Sequence, residues 1–439
     1  MVRNPPVSPR NDVVWRRLAG IVLLMAAGWA AALVYHYVMG AVLRLPYPSS
    51  TFLFDPADRF NDLLATRSLA RAPDPYSARG PGAAAYFPLV YAALRLLLHR
   101  PNGTWLIVIH LLASLGISAS VALLWIRRER PRWSGDSRWP VAAALVLFVV
   151  LANYPFLMAV DRGNFDPIIT ALIVFAVVLL REDRPTLGGA LLGVASAAKG
   201  YPIVAALLWL RRRRPAGAVV AVVTFVALVV LPGLIFAGGI TGTLRGLSSG
   251  LARFRELYVV GDWSAHYSAD ALNAIRLVLQ MAGAAPDMQR LVPRYELFAL
   301  LWAALLCADA LFVAGATWRR ALAIVLVMLV FPNVTNDYKL VLLVPVTLLW
   351  ISSAAESDGW RDRLFGVCVA LLFVPKHYGV LIAGRDATVS CLVSPLLVAG
   401  LTVVLWPTAE ELAQARARLA RARAVVGGRP AAGAAEERS

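Results

Sequence analysis

The stretch LAGIVLLMAAGWAAALVYHYVM, Leu18 to Met39, contains no Asp, Glu, Lys or Arg. A run of about 20 apolar residues is what a helix needs to cross the hydrocarbon core of a bilayer. Arg3, Arg10, Arg16 and Arg17 stand in front of it. Basic residues before an apolar run resemble a signal peptide. This run is too long for an ordinary signal core, however, and no clear small-residue cleavage site follows. We read it as an uncleaved first span with a cytoplasmic N-terminus.

Working outward, comparable runs recur along the 439 residues, 59% of which are hydrophobic, with a mean hydropathy of +0.66. They are continuous rather than alternating, which favours helices over strands, and helices satisfy their own backbone in lipid. The sequence leaves no stretch for a soluble domain of any size. The expected fold is an all-α integral membrane protein with about twelve transmembrane helices. The expected spans are 18–40, 104–126, 140–160, 167–180, 187–198, 202–210, 216–238, 296–316, 321–332, 340–353, 364–380 and 388–406. The expected domains are a cytoplasmic terminus (1–17), one membrane domain (18–406) with external loops 41–103 and 239–294, and a cytoplasmic, basic, partly disordered tail (407–439). Inside the first loop, YFPLVYAALRLLL (Tyr86 to Leu98) reads as a short amphipathic helix at the membrane surface.

The net charge of +17 comes from arginines clustered at the ends of apolar runs. That is the positive-inside pattern of cytoplasmic loops, and it argues against a nucleic-acid partner. Cys307, Cys368 and Cys391 are odd in number and widely spaced, so neither a disulfide framework nor a cysteine metal site is indicated.

With this topology the arginine runs lie inside and the mixed polar motifs lie outside. The first loop contains TFLFDPADRFNDLLATRSLARAPDPY, Thr51 to Tyr76, with Asp55, Asp58 and Asp62 close together. The other external motifs hold Arg162 and Asn164, Lys199 and Tyr201, His266, and Asp337, Tyr338 and Lys339. Ionisable groups at the membrane are costly and usually functional. Carboxylates beside fixed cations suit a reaction in which a base takes a proton from a hydroxyl while cations hold a phosphate leaving group. Each residue also has a plainer reading. An external Asp is ordinarily solvated, Arg162 pairs with Asp161 or Asp166, Lys199 snorkels, Lys339 pairs with Asp337, and His266 is a satisfied loop histidine. His377 ranks below these. Tyr86, Trp263 and Tyr267 stack on sugar rings or belong to the interfacial aromatic belt. No phosphate-binding glycine loop appears. Asp58 and Asp62 would suit a divalent cation, but no residue pattern marks one, so no cofactor is expected.

Taken in order, these motifs resemble glycosyltransferase family 87, α-mannosyltransferase-like membrane enzymes of the GT-C class. Phe60-Asn61-Asp62-Leu63 followed by Asp74-Pro75-Tyr76 is similar to the family's first-loop motif, and Tyr86-Phe87-Pro88-Leu89 to its Y-x-P-L. Arg162-Gly163-Asn164, Lys199-Gly200-Tyr201-Pro202 and Asp337-Tyr338-Lys339-Leu340 resemble its later motifs. The resemblance runs over about residues 15 to 406. It implies a GT-C-type helical bundle and an enzyme that moves a sugar, mannose in the type case, from a polyprenyl-phosphate donor to a glycolipid or envelope-glycan acceptor. Transfer would invert the anomeric centre.

On that resemblance Asp62 is the general base. The spacing back from Tyr76 leaves Asp58 as its rival. Arg162, Lys199, Lys339 and His266 are donor-phosphate contacts, and Asn164, Tyr201, Asp337, Tyr338 and Tyr86 are substrate contacts. The site would face the outside of a bacterial plasma membrane. The competing class is a polytopic transporter or lipid-sugar flippase, which would spread its charges along a mid-membrane path. A non-catalytic envelope-assembly partner of the same fold is a third reading.

Overall fold

The structure is a computed structural model that describes residues 9–77, 86–97, 103–261, 265, 267–330, 334–353, 359–382 and 384–426. His266 and Trp263 lie outside the described residues.

Prolines at first turns set the helix starts. The helices Tyr154–Arg162, Asp166–Arg181, Pro185–Lys199 and Pro215–Val230 each carry one there. Proline is pre-organised for the first turn and lacks only an N–H that would be unpaired anyway. In the first of these, Asn153 adds a side-chain cap to the Phe156 amide. The helices Pro185–Lys199 and Pro215–Val230 pack face to face, and a Cβ on Gly189 would fall 2.1 Å from the Gly217 carbonyl oxygen. Small residues permit this close backbone approach. The main core runs from Val14 and Leu18 through Trp133, Trp209 and Phe365 to Leu405.

Among the described residues four helical segments are long and apolar enough to cross a membrane: Pro9–Val42, Gly103–Trp133, Pro215–Leu234 and Met288–Val313. The number rises to six if two bent pairs each count as one span. These are Trp139–Leu151 with Tyr154–Arg162 (45°) and Ser390–Val404 with Ala409–Ala417 (60°). The expected twelve-span all-α GT-C-type bundle is therefore corrected.

The physical reason is length. Several apolar runs fold as short helices, such as Thr317–Val330 with 14 residues, Leu343–Ser352 with 10 and Trp360–Leu372 with 13. At 1.5 Å per residue these reach about 15–21 Å, well short of a hydrocarbon core of about 30 Å. Their apolar faces are buried against one another instead, as at Leu322, Leu326, Val346 and Val369. The chain is also not wholly helical. Gly379–Ile382 and Arg385–Thr388 form an antiparallel hairpin with Leu381 opposite Asp386, so the continuous span expected over 364–380 ends early and gives way to strand. The first loop does hold short helices, Asn61–Arg71 and Pro88–Leu97.

Candidate active site

The helix Asn61–Arg71 begins with Asp62 in its first turn. Phe60 precedes it in the left-handed region at φ +55°, a strained position for a residue with a side chain. The strain is held by a hydrogen bond from the Phe60 amide to the Asp161 carbonyl (2.8 Å). Asp161 also accepts from the Phe54 amide at 3.1 Å. Asp55 accepts from the Ala57 amide at 2.9 Å and so shapes the turn Pro56–Asp58. These contacts pin the first loop onto the end of the helix Tyr154–Arg162.

Gly163 makes the junction possible. Its φ is +70°, and a Cβ there would lie 2.6 Å from Leu63 Cβ. Only glycine fits both demands, so Arg162 and Asn164 are presented on either side of the helix start. Arg162 donates through Nη1 to Asp58 Oδ2. Its Nη2 donates to Asp62 Oδ1 at 2.7 Å. Asn164 Nδ2 donates to Asp62 Oδ2 at 2.8 Å. Each Asp62 oxygen has thus accepted one hydrogen bond and keeps a lone pair. The side chains of Asp62 and Asp58 are 18% and 43% exposed, so both are reachable.

The row continues through Lys199, whose Nζ donates to Asn164 Oδ1 (2.7 Å) and pairs with Asp166 Oδ2 (3.0 Å). The Tyr201 hydroxyl donates to Asp166 Oδ1 at 2.6 Å. Lys199 Nζ also lies 5.5 Å from the rings of Tyr86 and Tyr338, within cation–π range. The Lys339 ammonium sits 4.5 Å from the Tyr201 ring. Lys339 is 6% exposed, and among the described residues no carboxylate lies within ion-pair distance of it. Burial lowers it to about 7, with Lys199 adding to the effect and Asp166 and Asp270 opposing it.

The alternative pairings open in the sequence resolve unevenly. Arg162 pairs with Asp58 and Asp62 rather than with Asp161 or Asp166. Asp337 does not pair with Lys339. It accepts from the Ser390 and Ser394 hydroxyls, the latter at 2.7 Å, and ties the turn Asp337–Leu342 to the helix Ser390–Val404. Asp58, Asp62, Arg162, Asn164, Lys199, Tyr201, Tyr86, Tyr338 and Lys339 come together, whereas the Asp337 carboxylate is turned into packing.

Sequence reasoning missed Asp166, treated only as a possible partner of Arg162, and the buried Phe54, whose ring lies 4.1 Å from Arg162 Cζ. The signal for Asp166 was its place two residues after Asn164 at a helix start, where Asn164 Oδ1 accepts from the Asp166 amide at 3.1 Å. Among the described residues no group of three or more His, Cys, Asp or Glu could hold a metal ion.

Apolar helices of membrane-crossing length and a carboxylate–cation cluster at the end of one bent helix pair define a membrane-associated protein with a polar cluster that is a candidate site. Comparison with known proteins adds a likeness over part of the chain. Residues 131–332 match the family model of glycosyltransferase family 87. The likeness covers less than half of the 439 residues. The matched segment contains Arg162, Asn164, Asp166, Lys199 and Tyr201 but neither Asp58, Asp62 nor Lys339. No curated protein and no solved structure matches the chain.

Proposed function

We propose that the protein transfers a sugar, mannose in the type case, from a polyprenyl-phosphate donor to a glycolipid or glycan acceptor, with inversion and with Asp62 as general base. One observation supports this most directly: Arg162 and Asn164, both in the family-matched segment, converge on Asp62 in the first loop. Asp62 takes the proton of the acceptor hydroxyl. That oxygen forms a bond to the anomeric carbon, and the bond from that carbon to the phosphate oxygen breaks with its electron pair moving to phosphate. Lys199 and Lys339 face the leaving phosphate, where fixed cations stabilise developing charge. Lys339 is the stronger of the two for this role, because Lys199 is already engaged by Asp166.

Arg162 holds Asp62 in place and spaces it from Asp58. Asn164 is fixed in turn by Lys199, so the carboxylate has one orientation. The proton passes from Asp62 to solvent after transfer, and the site faces the outside of the membrane.

The test is transfer from a polyprenyl-phosphate sugar by purified, reconstituted protein. Asp62→Asn should lower the rate by about 10³-fold, within the range a general base supplies, while expression and elution profile stay those of the wild type. Loss in Asp58→Asn with full activity in Asp62→Asn would move the base to Asp58. Wild-type rates in both variants would end the mechanism.

A further inference from the structure

Counted along the row Lys199–Asn164–Asp62–Arg162–Asp58, the lysines lie at one end. The other end is built differently. Phe54, under the Arg162 guanidinium, meets the Tyr267 ring edge-on at 6.2 Å and the His377 ring at 6.1 Å. His377 lies 5.2 Å from the Tyr47 ring, and the Tyr47 hydroxyl is 2.6 Å from His377 Nε2. Burial pushes His377 down to about 4, with His36 adding and Asp337 opposing. The imidazole is therefore neutral at pH 7 and shares this hydrogen bond with the phenol.

Phe54 and His377 are buried, whereas Tyr47 and Tyr267 are half-buried and each present some surface. Asp58 is the more open of the two Arg162-bound carboxylates, and its charge bears on both phenols.

Three separate segments supply this patch: the first loop, the turn at Tyr267 and the turn at His377. Tyr267 is held by the segment that follows it. Asp270 caps the helix Ala271–Met281 by accepting from the Asn273 amide (2.8 Å). Asn273 Nδ2 donates back to the Ser268 carbonyl at 2.8 Å. The Ala269 amide donates to the Thr335 carbonyl at 2.7 Å. His377 follows Lys376, whose ammonium donates to the Leu372 and Val374 carbonyls at 2.9 and 3.0 Å and so closes the end of the helix Trp360–Leu372. The Tyr267 hydroxyl has no hydrogen-bond partner among the described residues.

The chemistry selects the occupant. A lipid tail gains nothing from an open carboxylate and a free phenol, because polar groups covered by hydrocarbon lose their hydration without replacement. An anion would meet Asp58 and find the Arg162 guanidinium already shared between two carboxylates. A neutral sugar fits both features: its C–H face stacks on the accessible edge of half-buried rings, and its hydroxyls donate to a carboxylate and exchange hydrogen bonds with phenols.

We propose that Asp58, Tyr47 and Tyr267 form the subsite for the acceptor's sugar ring, taking a neutral hexopyranoside, with His377 as a positioning residue behind Tyr47. This rests on the transfer reading above. It gives Asp58 a role distinct from that of Asp62: it receives acceptor hydroxyls rather than the transferred proton. The acceptor then approaches Asp62 from the aromatic end and the donor phosphate from the lysine end.

The experiment is saturation-transfer-difference NMR of methyl α-D-mannopyranoside on full-length protein in nanodiscs, with decaprenyl phosphate binding measured on the same samples. The wild type should bind the glycoside. Tyr267→Ala and Asp58→Asn should each weaken it by about tenfold, equivalent to about 1.4 kcal/mol, while decaprenyl phosphate affinity stays within about twofold. Tyr267→Phe should retain most of the glycoside affinity, because stacking survives, and His377→Phe should weaken it without changing the unfolding midpoint. No glycoside binding by the wild type, or wild-type binding in Tyr267→Ala and Asp58→Asn, overturns the subsite. Tyr267-dependent binding in a protein that transfers no sugar keeps the subsite and ends the transfer reading. Transfer that needs Asp62 but shows an acceptor KM unmoved by Tyr267→Ala does the reverse.

Discussion

The helix Pro9–His36 joins two regions that use arginine in different ways. At its N-terminal end Arg17 pairs with Asp362 (2.9 Å) and donates to the Trp350 carbonyl (2.7 Å), and the two side chains are only 7% and 9% exposed. Nearby, Glu129 takes Arg10 at 3.1 Å and also Arg132. Arg319 and Arg361 share Glu411 at the start of the last helix, Ala409–Val426. Apart from the local Arg132–Glu129 pair, these link segments far apart in sequence, and Arg10, Arg17, Arg319 and Arg361 each also donate to a backbone carbonyl. They act as clamps. At the other end Arg162 also bridges remote segments, but its carboxylates stay reachable and Lys339 faces a ring instead of an acid. Closed, matched pairs hold the fold together, whereas open pairs beside an unmatched cation have capacity left for a ligand.

The sharpest way to break this contrast is at Arg17. Arg17→Met leaves Asp362 charged and buried, which should cost about 3–5 kcal/mol of stability, read as a lowered unfolding midpoint in detergent. Transfer per folded molecule should be unchanged. A lower specific activity at wild-type stability would show that the clamp end takes part in the chemistry.

Lys339→Met comes next in size. The expected effect is a rise of about tenfold in donor KM at pH 6, the equivalent of about 1.4 kcal/mol. The wild-type ammonium is lowered from 10.5 to about 7, so donor affinity should fall as pH climbs through about 7 and should be flat in the variant. The sign for stability is the opposite. The cost of charging the buried group is fully present below about 7. It is relieved as pH rises toward 10.5, because the unfolded chain keeps the proton longer. The wild type should therefore gain stability over that window and the Met variant should not. A donor KM with no pH trend in the wild type would remove Lys339 from the phosphate site.

The smallest effect is expected at Arg214 and Asp183, a pair with side chains 52% and 73% exposed. Arg214→Ala should shift stability by less than about 0.5 kcal/mol and leave transfer alone. A larger loss would show that exposed arginines at that end also act as clamps.

Much of the candidate site was legible because it is written in short local signals. Arg162-Gly163-Asn164 and Lys199-Gly200-Tyr201 mark helix ends where a glycine lets polar side chains emerge. Asp62 stands in a polar stretch after the first apolar run. Less legible was the partner of each group. Asp337 and Lys339 are two residues apart, yet one is bound by serines from the helix Ser390–Val404 and the other faces Tyr201. His377, ranked low in the sequence, is hydrogen-bonded to the Tyr47 hydroxyl. Phe54 looked like one more apolar loop residue until Arg162 was found over its ring. Span counting failed for a related reason. It measured apolar runs, whereas spanning depends on unbroken helix length. The run near 202–210 is divided between a 3₁₀ turn, Tyr201–Ala206, and a short helix, Leu207–Arg211.

By itself the sequence determined the helical character, the long apolar helices and the clustering of acid–cation motifs away from the arginine runs, because hydrophobic periodicity and charge are local properties of the chain. Only the tertiary structure decided how many helices are long enough to span and which carboxylates Arg162 holds. Among the described residues it also left Lys339 without an acid, and it joined Tyr47, Phe54, Tyr267 and His377 in one patch. Those outcomes depend on which distant segments share a dry contact, and a buried charge takes the partner that packing brings within hydrogen-bond reach rather than its neighbour in sequence.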